Sequence, residues 1–488
     1  MSINVRTVFF SIGIILCGIS CFMLIPLLYD SIVEDGACLD VFLVSIIICV
    51  FIGVCLTLAC KAPGHLSFSQ KDVYFLIAIL WLLVALFSAT PLFLYDGVDI
   101  DFVTAFFEAS SGLTTTGVSI YDDVGSLPDA INIWRMVLHF IGGVGIVSLA
   151  MMIMPNLRVG GMQLFQTENS DKSQKFLPRA SQIASVFVLT YVSLIVIFST
   201  LFHMSGMSML EAICYSVTSV STGGFVIDNG GLSSYDNMNM EIIAIAGMFI
   251  GGITFMEIVH CFRGGFKKFY KNQQTRVYTK LYFGITIFIL VYAFIKNGRN
   301  LPLRTVVDLI FDSTSSMTTA GLTVSDGSYF SPLFRFMFII LSTIGGCVGS
   351  TTGGIKIFRL QVIWTVLRVN MKKLVKPYNV DIPKYNGKTI DDNLIASVLS
   401  FMALFVISFI ASIFLICILD SCSISTAGAA VGACITNAGL PLNFMMNTTI
   451  NFTDFNTYGK LILIMDMFIG RLELIPIFMV LSSVFWKR

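Results

Sequence analysis

Ten long apolar segments alternate with polar stretches along the chain, and each is long enough to cross a membrane as a helix. The hydrocarbon core of a bilayer, roughly 30 Å thick, requires about 20 consecutive apolar residues. The segments lie near residues 8–28, 41–60, 73–95, 133–154, 181–203, 241–262, 278–295, 333–369, 394–419 and 460–485. The first run is too long for the apolar part of a cleaved signal peptide. The pattern predicts an all-α polytopic membrane protein that retains its first span.

Composition supports a lipid environment for most of the chain. Of its 488 residues, 56% are hydrophobic and 12% are charged, whereas ordinary soluble domains carry about 25% charged residues. The 30 Lys and Arg nearly balance the 29 Asp and Glu, so net charge gives no indication of nucleic acid binding. The twelve cysteines are scattered singly, which is typical of small buried side chains rather than of a disulfide framework or a metal site.

Basic residues predict the orientation, because cytoplasmic loops near the ends of spans carry an excess of Lys and Arg. The basic stretches are residues 155–180, 263–280, 368–388 and the C-terminal Lys487 and Arg488. Both termini are therefore expected on the cytoplasmic side. The segment with Lys296, Arg299 and Arg304 is the exception, since it is basic but falls on the outer side.

Four short polar clusters recur along the chain, each after an apolar segment that is too short to cross the membrane. The cluster glycines are 107, 97 and 118 residues apart. The clusters are Thr114, Thr115, Thr116 and Gly117; Ser221, Thr222, Gly223 and Gly224; Thr318, Thr319, Ala320 and Gly321; and Thr436, Asn437, Ala438 and Gly439. One alternative is a set of ordinary Gly/Thr turns between helices. Recurrence in register instead favours four structural repeats.

A second element recurs in the span after each cluster. It reads Ile-Gly-Gly three times and Ile-Gly-Arg once, with first glycines at Gly142, Gly251, Gly345 and Gly470. The predicted unit is span, re-entrant segment, span. The predicted divisions are two N-terminal helices in residues 1–72 and repeats over 73–180, 181–276, 277–392 and 393–488. Irregular backbone at membrane depth must be buried or line a wet cavity, so four such segments can surround one axis.

The clusters offer carbonyl and hydroxyl oxygens without fixed charge. Rings of carbonyl oxygens replace the hydration shell of a monovalent cation, whereas Ca²⁺ and Mg²⁺ usually require carboxylates. Glycine permits the dihedral angles that turn successive carbonyls the same way, and each preceding helix directs its negative C-terminal end toward the membrane centre. The clusters therefore indicate a site for an alkali cation.

Acidic residues also recur near the clusters, where they either concentrate cations at the mouth of a pore or cap short helices. Those that precede a cluster glycine by nine or thirteen residues are Glu108, Asp312, Glu211 and Asp308. Those that follow one by four to six residues are Asp122, Asp123, Asp228 and Asp326. Both interpretations stay open at this stage.

The eighth apolar segment is interrupted by a polar, glycine-rich stretch. Its residues are Gly345, Gly346, Gly349, Ser350, Thr351, Thr352, Gly353 and Gly354. Five glycines among three hydroxyl side chains do not favour a helix, so we predict an irregular intramembrane loop over 345–354. A phosphate-binding loop is excluded because Ile355 separates Gly354 from Lys356 and the stretch lies at membrane depth.

Arg471 replaces the second glycine of the fourth repeat in an otherwise apolar span. A charge at such depth is costly unless it is paired or hydrated. Neither Asp466 nor Glu473 has the spacing for pairing along a helix, so carbonyls of 345–354 are the expected partners. We hypothesise that Arg471 holds this loop closed and repels cations. The alternative is an ion pair that fixes helix packing without a gating role.

These residues resemble the Trk/Ktr/HKT superfamily of potassium transporters. The resemblance rests on the four clusters, the stretch from Gly345 to Lys356 and the pair Gly470–Arg471, and it covers residues 73–485. The two additional N-terminal spans and the total length make the chain most similar to the bacterial TrkH/TrkG membrane subunits. The resemblance implies four span, pore-helix, span repeats around one pore, with a potassium filter at the clusters and a gating loop at 345–354.

The resemblance also has implications for cargo, partners and location. It implies K⁺ as the transported ion, with no nucleotide bound by this chain, a homodimer in which each protomer has its own pore, and a TrkA-like cytosolic subunit with nucleotide-binding RCK domains. It implies the bacterial cytoplasmic (inner) membrane. In plant relatives a serine in the first filter loop goes with sodium transport, so Gly117 favours potassium, whereas Gly223 and Asn437 make the ring chemically asymmetric.

Two other transport mechanisms and an intramembrane enzyme are alternatives to a passive potassium pore. A proton- or sodium-coupled symporter requires an ionisable residue on the path, for which Glu257, Asp466 and Glu473 are the deep acidic candidates. A less selective Na⁺/K⁺ permease is a further alternative. An intramembrane enzyme has no supporting nucleophile and base pattern. The four histidines are scattered and are expected to serve in packing.

Overall fold

The structure is a computed structural model that describes residues 3–34, 36–61, 68–152, 180–262, 272–296, 301–325, 331–376, 378, 381–439 and 451–486. Within these residues, six helices are long and apolar enough to cross a membrane, or seven when a bent pair is included. The strands described are a two-residue hairpin, β1 (Lys384–Tyr385) and β2 (Lys388–Thr389). The structure confirms the predicted all-α polytopic membrane fold.

The helices follow the predicted repeat of a long helix, a short helix that ends at a polar cluster, and a return helix. They are α1 (Val5–Val33), α2 (Leu39–Ala59), α3 (Gln70–Ser88), α4 (Thr90–Leu94), α5 (Phe102–Leu113), α6 (Asp129–Met152), α7 (Ala180–Met204), α8 (Met209–Ser221), α9 (Met238–Gly251), α10 (Phe255–Phe262), α11 (Gln273–Lys296), α12 (Leu303–Thr318), α13 (Pro332–Ile344), α14 (Ile357–Val375), α15 (Asp392–Asp420), α16 (Ile424–Ile435), α17 (Thr457–Arg471), α18 (Ile475–Leu481) and α19 (Ser483–Trp486). The four short helices that end at a cluster are α5, α8, α12 and α16.

The two N-terminal helices form a close pair beside the first repeat. Helices α1 and α2 meet at Gly13 and Gly53, where a Cβ on Gly13 would lie 2.7 Å from the Gly53 carbonyl oxygen. Helix α1 also contacts α3 and α6. Small residues at such a crossing allow two backbones in a membrane to approach closely, so this pair packs as an addition to the repeats.

Side-chain caps begin three of the four short helices. Asp101 accepts a hydrogen bond from the Thr104 amide at 3.1 Å, and Ser423 accepts one from Thr426 at 3.1 Å. Ser208 and Glu211 form a capping box at the start of α8. These caps satisfy amides that have no partner within a first helical turn, so the short helices begin at positions that are visible in the sequence.

The eighth apolar segment breaks where the sequence predicts. Helix α13 ends at Ile344, and α14 begins only at Ile357. The sixth segment, predicted as one span over 241–262, is not one continuous helix. It bends by 108° between α9 and α10.

Hydrogen bonding explains why these two segments break side by side. The Gly252 carbonyl accepts the Cys347 amide at 3.0 Å, and the Gly349 carbonyl accepts the Phe255 amide at 3.0 Å. The backbone groups released by one break are therefore satisfied by the other, as the bilayer interior requires. Segment ten also breaks after Arg471, where Glu473 and Leu474 have a φ of 60°.

Candidate cation-binding site

The four short helices end in the same backbone geometry. The second residue of each cluster is left-handed, with φ of 51° at Thr115, 51° at Thr222, 54° at Thr319 and 51° at Asn437. The amide of the next residue donates to the carbonyl five residues earlier, at N···O distances from 2.8 to 3.0 Å. This is the Schellman arrangement of a helix end. A left-handed threonine is strained, so its recurrence marks the clusters as a functional candidate.

The cluster glycines close a ring in chain order. Their φ angles are positive, at 79°, 95°, 78° and 65° for Gly117, Gly224, Gly321 and Gly439. A Cβ on Gly117 would overlap the Gly223 carbonyl oxygen. A Cβ on Gly224 would lie 2.6 Å from the Ala320 oxygen, on Gly321 3.1 Å from the Ala438 oxygen, and on Gly439 2.6 Å from the Thr116 oxygen. Each loop therefore abuts the next, and the fourth meets the first.

The ring carries oxygen atoms that are free to bind a cation. Within the part of the chain that the structure describes, the carbonyls of Thr116, Gly223, Ala320 and Ala438 accept no hydrogen bond. These residues are buried, and carbonyl groups buried without partners are uncommon. The arrangement suits a desolvated monovalent cation.

The asymmetric Asn437 closes the ring between the fourth and first repeats. Its amide nitrogen donates to the Thr116 hydroxyl oxygen at 2.9 Å and to the Met467 carbonyl at 3.0 Å. The Thr116 hydroxyl is also 2.7 Å from that of Thr114. A threonine at 437 lacks the second donor, so the departure from the repeat pattern has a structural reason.

In three of the four repeats, the return helix packs closely against the end of a short helix at the first glycine of the Ile-Gly-Gly or Ile-Gly-Arg element. A Cβ on Gly142 would overlap the Leu113 carbonyl oxygen, and one on Gly470 would overlap that of Ile435. A Cβ on Gly251 would lie 2.7 Å from the Val220 oxygen. In the third repeat, Gly345 instead faces the Gly353 carbonyl. The repeated glycine thus reflects close backbone contact, except where the loop intervenes.

The loop over 345–354 contacts three of the four clusters. The Gly353 amide donates to the Thr319 hydroxyl at 2.7 Å, and the Gly354 amide donates to the Thr436 carbonyl at 2.9 Å. The Thr351 hydroxyl lies 3.3 Å from that of Thr222 and donates to the Val220 carbonyl at 3.0 Å. The predicted loop residues Gly345, Gly346, Gly349, Ser350, Thr351, Thr352 and Gly353 are buried, and Gly354 is partly buried.

Arg471 contacts the loop as the sequence predicts. Its Nη1 donates to the Thr351 carbonyl at 2.6 Å, and its Nη2 donates to the Gly142 carbonyl at 3.4 Å. Arg471 is 3% exposed. Arg471 thereby joins the fourth repeat to the loop and to the return helix of the first repeat.

Two further cations near the loop were not assigned a role from the sequence. The buried Lys356 amine donates to the Thr352 carbonyl and lies 3.2 Å from its hydroxyl. Arg359 pairs with Glu473 and lies 3.6 Å from the ring centroid of Phe401. The signal was present, because both cations fall inside the predicted span 333–369. The partner of Arg359 is 114 positions away and could not be inferred, whereas Lys356 bonds a residue only four positions before it.

Glu108 does not face the mouth of the ring. Its carboxylate forms a fully buried ion pair with Arg135 at 2.8 Å and accepts the Ile120 amide at 2.9 Å. Burial and the nearby Glu108 charge raise the pKa of Tyr121, in the loop that follows the first cluster. Glu108 therefore fixes the segment above the first cluster.

The other acids near the clusters have separate roles. Glu211 belongs to a capping box, and Asp123 accepts the Ser126 amide at 3.2 Å, so capping is confirmed for both. Asp228 accepts the Ser234 hydroxyl at 3.0 Å, and Asp312 that of Ser325 at 2.5 Å. Asp122 is exposed, whereas Asp326 lies outside the described residues.

Arg304, the basic exception on the predicted outer side, is neutralised by carboxylates. It lies 2.5 Å from Glu241 and 3.3 Å from Asp308. Its positive charge therefore belongs to a local ion-pair network at the start of α12.

The three acids considered for coupled transport are engaged with neighbouring side chains. Glu257 accepts a hydrogen bond from Asn272 at 2.9 Å, and Asp466 accepts one from Ser412 at 2.7 Å. Glu473 pairs with Arg359. Among the described residues, no group of three His, Cys, Asp or Glu side chains is arranged to hold a metal ion. Oxygen atoms of the clusters are thus the candidate ligands.

Comparison with known proteins agrees with this architecture. The family model TrkH, described as a cation transport protein, matches residues 39–486. The chain is 29% identical over 490 residues to the Trk system potassium uptake protein TrkG of Escherichia coli, with 99% of both chains covered. It is 28% identical over 494 residues to TrkH of Vibrio parahaemolyticus, again with 99% of both covered.

A solved structure has the same fold. The crystal structure of the potassium transporter TrkH from Vibrio parahaemolyticus superposes with a TM-score of 0.90 at 26% identity, covering 99% of each chain. The resemblance noted in the sequence is confirmed. The chain belongs to the TrkH family of cation transport proteins.

Proposed function

We propose that the protein takes up potassium through a channel-like selective pore that is gated by a cytosolic regulatory subunit. Relatives along nearly the whole chain are named Trk system potassium uptake proteins, which supports potassium as the cargo. The observation that carries the mechanism is the closed ring of four glycine loops with free carbonyl oxygens. A neutral oxygen ring suits a monovalent ion.

The proposed filter consists of the four clusters. The repeats over 73–180, 181–276, 277–392 and 393–488 each contribute one loop, while the helices of 1–72 lie beside them. Four short helices end at the ring, so the negative ends of their dipoles favour a cation there. Selection of K⁺ over Na⁺ then depends on how firmly the loops hold their spacing.

The proposed gate is the loop over 345–354 together with Arg471. The loop lies against three clusters and is held by a charge that bonds a loop carbonyl. A guanidinium on the cytoplasmic side of the filter repels cations that leave it. Opening requires the loop to withdraw and Arg471 to lose its contact with Thr351.

The proposal includes partners and location. The Trk system named for the relatives is a multi-component system, which supports a separate regulatory subunit. We infer a homodimer in the bacterial cytoplasmic membrane with both termini inside, and a TrkA-like partner with RCK domains at the basic cytoplasmic face. Lipid surrounds the exposed apolar side chains of the long helices.

Cation flux into liposomes that contain the purified full-length protein tests the pore. We expect passive flux of K⁺ and Rb⁺ to exceed that of Na⁺. Gly117→Ser should relax this preference, because a side chain there overlaps the Gly223 carbonyl. Gly284→Ser is the matched control, since a Cβ at Gly284 meets no atom within 4 Å.

A closed gate must be distinguished from the absence of a pore. The same flux is therefore measured with Arg471→Ala, which is expected to loosen the loop. Flux in either protein without a proton or sodium gradient supports the pore. Uptake that requires such a gradient in both proteins would favour a coupled symporter, and equal K⁺ and Na⁺ flux would favour a less selective permease.

A further inference from the structure

The second cluster differs from the others at its third residue. This position is Thr116, Gly223, Ala320 or Ala438 in the four repeats, so only the second repeat lacks a side chain there. The φ angle of Gly223 is not positive, so the backbone does not require glycine. The glycine at position 223 must therefore be explained by the side chains packed against it.

The ring of His139 occupies the space of the missing side chain. A Cβ on Gly223 would overlap Cδ2 of His139. His139 lies on α6, the return helix of the first repeat, and is fully buried. A residue of the first repeat therefore packs directly against the second cluster.

Hydrogen bonds fix the orientation of this ring. The Phe225 amide donates to Nε2 of His139 at 3.1 Å, and Nδ1 lies 2.7 Å from the Gly112 carbonyl oxygen. Since Nε2 accepts, Nδ1 must carry the proton and donate, which defines a neutral imidazole. His139 thus joins the last turn of the first short helix to the residue directly after the second cluster.

Phe225 is held between two side chains of α6. Its ring stacks on His139 with centroids 4.4 Å apart, and the Arg135 guanidinium carbon lies 4.2 Å from its centroid. Arg135 also donates to the Val226 carbonyl at 3.0 Å and pairs with Glu108 at 2.8 Å. Positions 135 and 139 are one helical turn apart, so their side chains project from the same side of α6.

The other repeats lack this arrangement. His139 lies three residues before the first glycine of the repeated Ile-Gly-Gly element, and the matching residues are Met248, Ser342 and Met467. None of them has an imidazole that bonds both a short helix and a cluster. Of the four distances in the ring between an added glycine Cβ and a carbonyl oxygen of the neighbouring loop, that from Gly117 to Gly223 is also the shortest. The junction between the first two loops is therefore the most constrained.

We propose that His139, supported by Arg135 and Glu108, is a positioning residue that fixes the spacing between the first two filter loops and thereby sets selectivity for K⁺ over Na⁺. A fixed junction prevents the carbonyl oxygens from closing around the smaller Na⁺ ion. This inference rests on the proposed function, because it requires a cation pore at the ring.

The first test compares His139→Phe with the wild type in the liposome assay, recording K⁺, Rb⁺ and Na⁺ flux separately. Phenylalanine keeps a ring against Phe225 but removes both hydrogen bonds. We expect the K⁺ to Na⁺ flux ratio to fall about tenfold, which is within the range expected for the loss of two hydrogen bonds of ordinary strength. His203→Phe is the control, since His203 is exposed and bonds the nearby Met207 carbonyl at 2.9 Å.

A double-mutant cycle tests the contact itself and covers the case in which His139→Phe does not fold. Gly223→Ala introduces the residue found at Ala320 and Ala438, and it should reduce K⁺ flux through overlap with His139. Adding His139→Ala removes the overlap, so the double variant should recover flux relative to Gly223→Ala alone. The yield of monodisperse protein should recover in parallel.

The outcomes separate the two proposals. A wild type and an Arg471→Ala variant that conduct no cation passively would overturn the proposed function. A selective wild type whose His139→Phe variant loses all fluxes in equal proportion would overturn the role in selectivity. Purely additive effects in the cycle would overturn the spacing contact.

Discussion

The guanidinium of Arg471 donates a hydrogen bond to the carbonyl oxygen of Thr351 at an N···O distance of 2.6 Å. The two residues are 120 positions apart and belong to different repeats. No carboxylate among the described residues forms an ion pair with Arg471. The charge is therefore held by backbone dipoles alone, which makes the contact easier to exchange than a buried ion pair.

Arg471→Ala is expected to raise passive K⁺ flux about tenfold in the absence of any regulatory subunit. Loss of a charged hydrogen bond, about 1.5 to 3 kcal/mol, shifts the loop toward its open state. Flux in liposomes measures the change, and the exposed Arg6→Ala is the control. Unchanged conductance together with unchanged regulation would leave Arg471 with a packing role only.

Lys356→Met is expected to act on the same loop, because it removes the amine that bonds Thr352 while keeping most of the side-chain volume. If Lys356 and Arg471 stabilise the same closed state of the loop, each single substitution should raise passive K⁺ flux. The Lys356→Met/Arg471→Ala double variant should then raise it by less than the product of the two single increases. Coupling of about 0.5 to 3 kcal/mol is usual for residues in one network. Strict additivity would show that the two cations act on separate elements.

Glu108→Gln is expected to destabilise the protein by about 3 to 5 kcal/mol, because it leaves the Arg135 charge buried without its carboxylate. Thermal unfolding in detergent measures the loss. Adding Arg135→Met should recover part of it, since no charge then remains buried. Glu211→Gln keeps a side chain that can complete the capping box and loses mainly a charge near the helix N-terminus, so it should cost about 0.3 to 1 kcal/mol. Equal losses for Glu108→Gln and Glu211→Gln would contradict the role of the buried pair.

Gly142→Ala and Gly145→Ala should change the stability of the protein in opposite directions, although both replace a glycine in α6. Alanine favours a helix by about 1 kcal/mol, and a Cβ on Gly145 reaches only ordinary contact, 3.6 Å from Trp81. A Cβ on Gly142 overlaps the Leu113 carbonyl, and such overpacking typically costs about 1 to 3 kcal/mol. The unfolding temperature of Gly145→Ala should be higher than that of the wild type, and that of Gly142→Ala should be lower. The opposite order would contradict the close contact.

The resemblance to the family and the fold class were accessible before the structure because their signals are local. Apolar spans, the four clusters and the interruption after Ile344 each lie within one short stretch of chain. The expected partner of Arg471 was also found, because a charge in an apolar span has few polar groups available to it.

Hydropathy and backbone propensity act over a few neighbouring residues, so the sequence alone was enough to predict a helical membrane protein, the recurrence of the clusters and the interruption after Ile344. The bend at Gly252, the ion pair between Arg359 and Glu473 and the packing of His139 against Gly223 instead required the tertiary structure. Those features depend on groups from different repeats, such as the bond between Phe225 and His139 across 86 positions. Backbone groups in a membrane must find partners within the protein, and the folded chain alone determines which partners lie within reach.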